Sequence, residues 1–322
     1  MIKALCKLTF SLLIILIGSH CLAQTKIDTT ETLWVGGIKQ VIKIEGPDRS
    51  KPLFLFITGG PGSEGIYDDN KTYLDELKKH FTVVAWDQRN CGQTLQLNPS
   101  PVKLTVKLYE DDAHKLVTAL LKQFHQKKLF LMGWSWGTVL GFYMADKHPE
   151  QLYAYMAVSP VVNQLQSERI LLQDLKQKAV AQKNIQATNE LATVKIPFED
   201  GVQNYYDRKW LFVFSGEAVE DTAAFKKYFT ENVAMITLFK EASQRNLTVS
   251  LPKVNCPVYF FVGRTDQQTN FVLSAKYYNQ LIAKKKALFW FDKSGHQIPV
   301  TEPGLLQEIV ITKILPQIML VK

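Results

Sequence analysis

Short apolar runs alternate along the chain with longer stretches in which apolar positions recur every three or four residues. A strand buried on both faces reads as a continuous apolar run, and a helix lying against it reads as a one-sided periodic stretch. The runs 53–57, 82–86, 129–132, 153–158, 258–262 and 287–291 predict strands of a sheet core. Periodic stretches at 69–80, 106–124, 135–147, 270–283 and 303–314 predict the helices between and after them. Ahead of these, 32–46 alternates apolar and polar residues about Gly36-Gly37, a hairpin signal. Strand–helix alternation of this kind predicts an α/β fold, a mostly parallel sheet flanked by helices on both faces.

The segment 162–250 breaks the rhythm. It holds no convincing buried strand and reads as helical, rich in Gln, Lys and Glu, with Trp210, Phe212, Phe214, Tyr228 and Phe229. It is expected to be a mainly helical cap, inserted between the fourth and fifth strands after the hairpin and leaving the sheet at its C-terminal edge. Its aromatics are assigned to the cap's own core. The sheet core is then split into 24–161 and 251–322.

Composition changes little in this picture. With 322 residues, 46% hydrophobic and 21% charged, the chain is ordinary for a globular protein. Short basic clusters at Lys127-Lys128 and at Lys284, Lys285 and Lys286 are not interleaved with aromatics, so they read as solvated faces and no nucleic-acid partner is expected. The N-terminus does change it. Lys3 and Lys7 precede an apolar run at 8–17, and Cys21-Leu-Ala23 offers small residues for cleavage, the pattern of a signal peptide over 1–23. The run is too short for a bilayer, which needs about twenty apolar residues. His20 fits poorly with lipid attachment at Cys21. An exported protein, periplasmic or secreted, is expected to begin near Gln24, without stable membrane insertion and with a net charge of +6 in place of +8. Cys91 and Cys256 remain; they fall at opposite ends of a parallel sheet and are not expected to pair.

The candidate chemistry sits in Gly133-Trp-Ser-Trp-Gly137, between a predicted strand and a predicted helix. A sharp strand-to-helix turn needs small residues beside its apex, and it pushes the apex residue out at the end of the sheet. Ser135 is therefore the candidate nucleophile. A serine hydroxyl needs a base within reach, oriented by a third group. Of the histidines, His296 follows a strand's C-terminal end, where ligands meet open α/β sheets, whereas His80 and His148 precede strands and His114 and His125 ride a helix flank. Asp266 follows the strand 258–262 directly and is the candidate acid; Asp87 and Asp292 also lie near strand ends, on less suitable loops. An oxyanion needs two backbone N–H groups aimed at one point. Trp136, after the nucleophile, and Gly60, in Thr58-Gly-Gly-Pro-Gly62, are the candidates. No metal or organic cofactor is expected.

Together Thr58-Gly-Gly-Pro-Gly62, Trp86-Asp-Gln-Arg-Asn-Cys-Gly92, Gly133-Trp-Ser-Trp-Gly137, Gly263-Arg-Thr-Asp266 and Gly295-His296 resemble the prolyl aminopeptidase (proline iminopeptidase) branch of the α/β-hydrolase fold. Thr58 stands where that branch has histidine, and Asn90-Cys91 departs from its Arg-Gly-x-Gly run. The resemblance implies a serine peptidase acting through an acyl-enzyme on peptides with a free N-terminus, with proline as the residue removed. It also implies that an acid from the cap meets the substrate's ammonium group; Glu217, Glu220, Asp221, Glu231 and Glu241 are available there. A carboxylesterase or lactonase on small acyl substrates, and a non-catalytic binding protein on the same scaffold, are the rival readings.

Overall fold

The computed structural model describes residues 26–66, 73–98, 103–216 and 222–320. The predicted signal peptide lies outside the described residues, as do 69–72 of the predicted helix 69–80. Strands β1 (Ile27–Val35) and β2 (Ile38–Gly46) form the hairpin. Their turn is Gly36-Gly37, with φ of 60° and 81°; a two-residue hairpin turn of this type needs two residues in the left-handed region, which glycine enters freely. The other strands are β3 (Leu53–Ile57), β4 (Thr82–Asp87), β5 (Leu129–Trp134), β6 (Leu152–Val158), the two-residue β7 (Lys253–Val254), β8 (Val258–Gly263), β9 (Ile282–Ala283) and β10 (Lys286–Phe291). Eight of them make one sheet in the order β1-β2-β4-β3-β5-β6-β8-β10. Pairing is antiparallel at β1/β2 and β2/β4, and parallel from β4 through to β10. β7 and β9 pair separately.

The helices are α1 (Gly92–Leu97), α2 (Val106–Gln123), α3 (Gly137–Lys147), α4 (Gln164–Ala181), α5 (Ile185–Ala192), α6 (Gly201–Ser215), α7 (Thr222–Glu231), α8 (Val233–Ser243), α9 (Leu247–Ser250), α10 (Phe271–Gln280), α11 (Ile298–Thr301), α12 (Pro303–Ile309) and α13 (Leu315–Met319). Alternation along β3 and β5 sorts the core into two layers, because successive strand side chains point to opposite faces. Leu53, Leu55, Ile57, Leu129 and Leu131 pack with Leu116, Leu120 and Leu140 of α2 and α3. Phe54, Phe56, Phe130 and Met132 pack with Leu306, Val310 and Ile314 on the opposite face. With both faces covered, the parallel strands carry no polar alternation, which is why they read as plain apolar runs.

Three predicted elements differ. In the described part of 69–80 there is only a 3-10 turn, Leu77–Lys79. The N–H groups of Glu76 and Leu77 donate instead to Gln307 Oε1, at 2.8 and 3.3 Å, so a distant side chain takes donors that a helix would use. The predicted helix 270–283 stops at Gln280, because Ile282 donates its N–H to Pro252 O (2.9 Å) and the chain joins β7 as β9. The closing helix 303–314 contains a π turn, Val310–Ile314, before α13. Cys91 and Cys256 are both buried, and neither is bridged.

Helices α4 to α9 follow β6, which ends at the sheet's C-terminal edge, and the chain re-enters the sheet at β8. Side-chain caps start several of them: Asn163 accepts from Gln166 N (3.2 Å), Asn184 from Ala187 N (2.9 Å) and Asp200 from Gln203 N (2.9 Å). Leu171, Leu175, Leu191, Phe198, Trp210 and Leu211 form an apolar cluster among α4, α5 and α6. Ala234, Leu238 and Ala242 of α8 belong instead to the main core on one face of the sheet. Among the described residues no helix is long and apolar enough to cross a membrane.

Candidate active site

β5 delivers Ser135 through a turn with no room for larger neighbours. A Cβ on Gly133 would stand 2.4 Å from Gly137 O, and a Cβ on Gly137 would stand 2.2 Å from Ile57 O. Ser135 itself sits at φ 53°, a left-handed conformation that costs a non-glycine residue about 1–3 kcal/mol and persists where its surroundings enforce it. Ser135 N donates to Val158 O (2.9 Å), tying the apex to the end of β6.

The structure brings the three predicted site residues together from three strand ends. His296 Nε2 lies 2.9 Å from Ser135 Oγ. His296 Nδ1 lies 3.1 Å from Asp266 Oδ2 and 3.3 Å from Asp266 Oδ1. Asp266 is buried, and burial alone would push its carboxyl up; the charge and hydrogen bond of His296 and the donors of Thr269 outweigh this and hold it below the usual carboxylate range. Asp266 Oδ1 accepts from Thr269 N (3.0 Å) and Gln268 N (2.9 Å), and Oδ2 from Thr269 Oγ1 (2.8 Å).

Gly60 and Trp136 both line the cavity at Ser135. Among the described residues neither N–H donates to a protein acceptor. Gly59 is pressed against the serine: a Cβ there would lie 3.3 Å from Ser135 Cβ. The loop 58–62 therefore runs close beside Ser135, and a side chain at Gly59 would crowd it.

Sequence reasoning missed the groups that hold His296 in place. Trp134 Nε1 donates to His296 O (3.1 Å), and Ser159 Oγ donates to the same carbonyl (2.9 Å). Both come from the ends of β5 and β6, the strand-end position that pointed to Ser135 and Asp266. Of the cap acids, Glu217, Glu220 and Asp221 lie outside the described residues. Glu231 is exposed and 3.8 Å from Lys227, and Glu241 accepts from Val106 N (3.0 Å) at the start of α2; neither lines the cavity. The buried acids of this region are Glu168 and Asp207, both bonded to Arg208. Residues Gln164, Asn204, Arg208 and Gln268 line the cavity, whose volume is about 420 Å³, and Phe212, Phe225, Tyr228, Phe229 and Phe239 supply aromatic walls.

A family profile described as alpha/beta hydrolase fold matches residues 52–303. The chain is 28% identical over 302 residues to the probable aminopeptidase YbaC of Bacillus subtilis (strain 168), covering 88% of this chain and 95% of that one. It is 31% identical over 126 residues to a proline iminopeptidase of Lactobacillus helveticus (strain DPC 4571), covering 38% of this chain and 40% of that relative. Among solved structures, a proline iminopeptidase of Mycobacterium smegmatis superposes with a TM-score of 0.61 over 91% of this chain and 100% of that one; at 16% identity the likeness speaks for the fold alone. The match from 52 to 303 takes in every parallel strand of the sheet, and the chain belongs to the α/β-hydrolase family.

Proposed function

We propose that the protein is a serine hydrolase that removes an N-terminal residue, proline-type, from peptides through an acyl-enzyme. Ser135 Oγ attacks the scissile carbonyl while His296 Nε2 takes its proton. Asp266 holds the imidazole and balances the charge it gains. The carbonyl oxygen becomes an oxyanion, held by the N–H groups of Gly60 and Trp136. His296 then gives its proton to the leaving amine, and the acyl group stays on Ser135. Water, deprotonated by His296, releases the acid and restores the serine.

The observation that supports a free N-terminus is a set of unpartnered acceptors in the cavity wall. Gln164 Oε1, Asn204 Oδ1 and Gln268 Oε1 are buried with no hydrogen-bond partner, and all three residues line the cavity. Gln164 has its orientation fixed, since its Nε2 already donates to Gln268 O (2.9 Å) and to Glu168 Oε1. Beside them Asp207 Oδ1 is also unpartnered. Glu168 and Asp207 share the one guanidinium of Arg208; burial pushes the Asp207 carboxyl up to about 8, so near neutral pH the cluster balances one carboxylate against one guanidinium, and the open acceptors carry the argument for an ammonium group. Buried acceptors left open cost stability unless a ligand supplies donors, and an ammonium group supplies three.

The test compares a proline arylamide with its N-acetylated form. Acetylation should abolish turnover, because it removes the charge and leaves the acceptors facing a neutral amide. Asn204→Leu should raise KM for the free amine about tenfold or more, the worth of one hydrogen bond to a charged group. Equal turnover of both arylamides, or activity on simple esters alone, would move the assignment to a carboxylesterase or lactonase.

A further inference from the structure

The Trp86-Asp-Gln-Arg89 motif at the end of β4 has no part in the cycle above, yet adjacent side chains of it reach both arms of the oxyanion site. Asp87 Oδ1 accepts from Gly65 N and Ile66 N, each at 2.9 Å, and so pins the returning end of the loop that carries Gly60. That end lies against β4, since a Cβ on Gly65 would fall 1.8 Å from Trp86 O. Asp87 Oδ2 accepts from Gln93 N (2.8 Å), which fixes the carboxylate from its other side. The next residue, Gln88, is buried, and its Oε1 accepts from Trp136 Nε1 at 3.0 Å. Tyr109 stands edge-on to the same indole, with ring centroids 5.8 Å apart, and its hydroxyl donates to Arg89 O (2.6 Å). Arg89 in turn is locked by the Asp112 carboxylate, at 2.8 Å from Nε, and by Gly36 O, at 2.9 Å from Nη2.

We infer that Gln88 is a positioning residue for the oxyanion hole, setting Trp136 through its indole from the same strand end whose Asp87 carboxylate grips the loop that carries Gly60. The inference rests on the proposed roles of Ser135, Gly60 and Trp136. Two donors on separate loops must converge on one oxygen, and an error of an ångström in such a placement is worth on the order of a hundredfold in rate. One rigid strand end that grips both loops fixes their separation. Trp136 cannot rotate away while Gln88 holds one edge of its ring and Tyr109 its face. The amide of Gln88 accepts this single bond while its Nε2 is buried without a partner, so the side chain is kept for an orientation that does not satisfy it fully.

The experiment measures labelling of Ser135 by a fluorophosphonate, whose phosphoryl oxygen occupies the oxyanion position whatever the natural substrate. Gln88→Met keeps the volume and removes the acceptor; Trp136→Phe removes the donor side of the same bond. In each folded variant the limiting labelling rate should fall about tenfold or more while the probe's half-saturation concentration holds, and the double variant should be no slower than the slower single one, since both break one bond. Thermal melting verifies folding; should Gln88→Met fail to fold, Trp136→Phe carries the test alone. Labelling of a folded variant at the parent's limiting rate, or additive losses in the double variant, would overturn the inference alone. Failure of the parent to label would sink the nucleophile reading and this inference with it.

Discussion

Ser135→Ala should leave a folded protein whose turnover is lower by on the order of 10⁴-fold or more, in line with nucleophile removal in serine hydrolases. The fold tolerates the change, because the turn is enforced by Gly133, Gly137 and the Ser135 N–H bond to Val158 O, none of which involves the hydroxyl. The hydroxyl lies 2.9 Å from His296 Nε2, so its loss leaves the imidazole facing the cavity. Melting temperature should therefore move little while steady-state turnover collapses. Full activity in a purified Ser135→Ala preparation would sink the assignment of the nucleophile.

Asp266→Asn should cost a similar amount, on the order of 10⁴ in kcat, by a different route. The donors around this side chain decide which way the new amide turns. Oδ1 faces the backbone N–H groups of Gln268 and Thr269, which reject an NH₂ group, so the amide oxygen must stay there. The NH₂ then falls at Oδ2, against His296 Nδ1 and the Thr269 hydroxyl, which can rotate to accept. His296 Nδ1 must accept too, so its proton moves to Nε2 and points at Ser135, where a lone pair is needed. The carboxyl of Asp266 is held below its usual range, so its contribution to stability is present above about pH 4, the unfolded value, and is lost as pH falls through the folded one. The asparagine variant lacks that acid-side loss. Turnover at neutral pH and melting across the acid range measure the two effects separately, and an asparagine variant with parental kcat would exclude Asp266 from the proposed role.

The parallel sheet was legible because burial on both faces leaves no polar position in runs such as 53–57 and 129–132, which match β3 and the body of β5. The placement of Ser135, Asp266 and His296 could be read because each is marked by its position after a strand, a property of local sequence. The candidate oxyanion donors, Gly60 in the glycine-rich loop 58–62 and Trp136 directly after Ser135, were chosen from local sequence, and both line the cavity. What could not be read depends on contacts remote in sequence. Gln307 takes the donors of Glu76 and Leu77 across more than two hundred positions, and nothing near 69–80 announces it. Likewise the acids singled out in the cap were chosen as charged residues on helices. Glu168 and Asp207 differ from Glu231 and Glu241 in being buried around Arg208, and burial within a helical bundle depends on how α4 and α6 face each other. Trp134 and Trp136 could be seen flanking the serine, but the partners of their indole N–H groups could not.

The apolar cluster shared by α4, α5 and α6 is separate from the two that clothe the sheet, and that separation bears on how this protein can diverge. Substitutions far apart and without shared partners act on stability nearly independently. A lineage can therefore exchange residues along α4 and α6, including Asn204 and the neighbours of Arg208, with little effect on the strand ends that hold Ser135, Asp266 and His296; Gln164 is the exception, because it donates to Gln268 O and Gln268 N donates to Asp266. Recognition drifts on one scaffold while bond-breaking stays conserved on another. Descendants of such a chain would be expected to differ first in the molecules they accept, and last in the reaction they carry out.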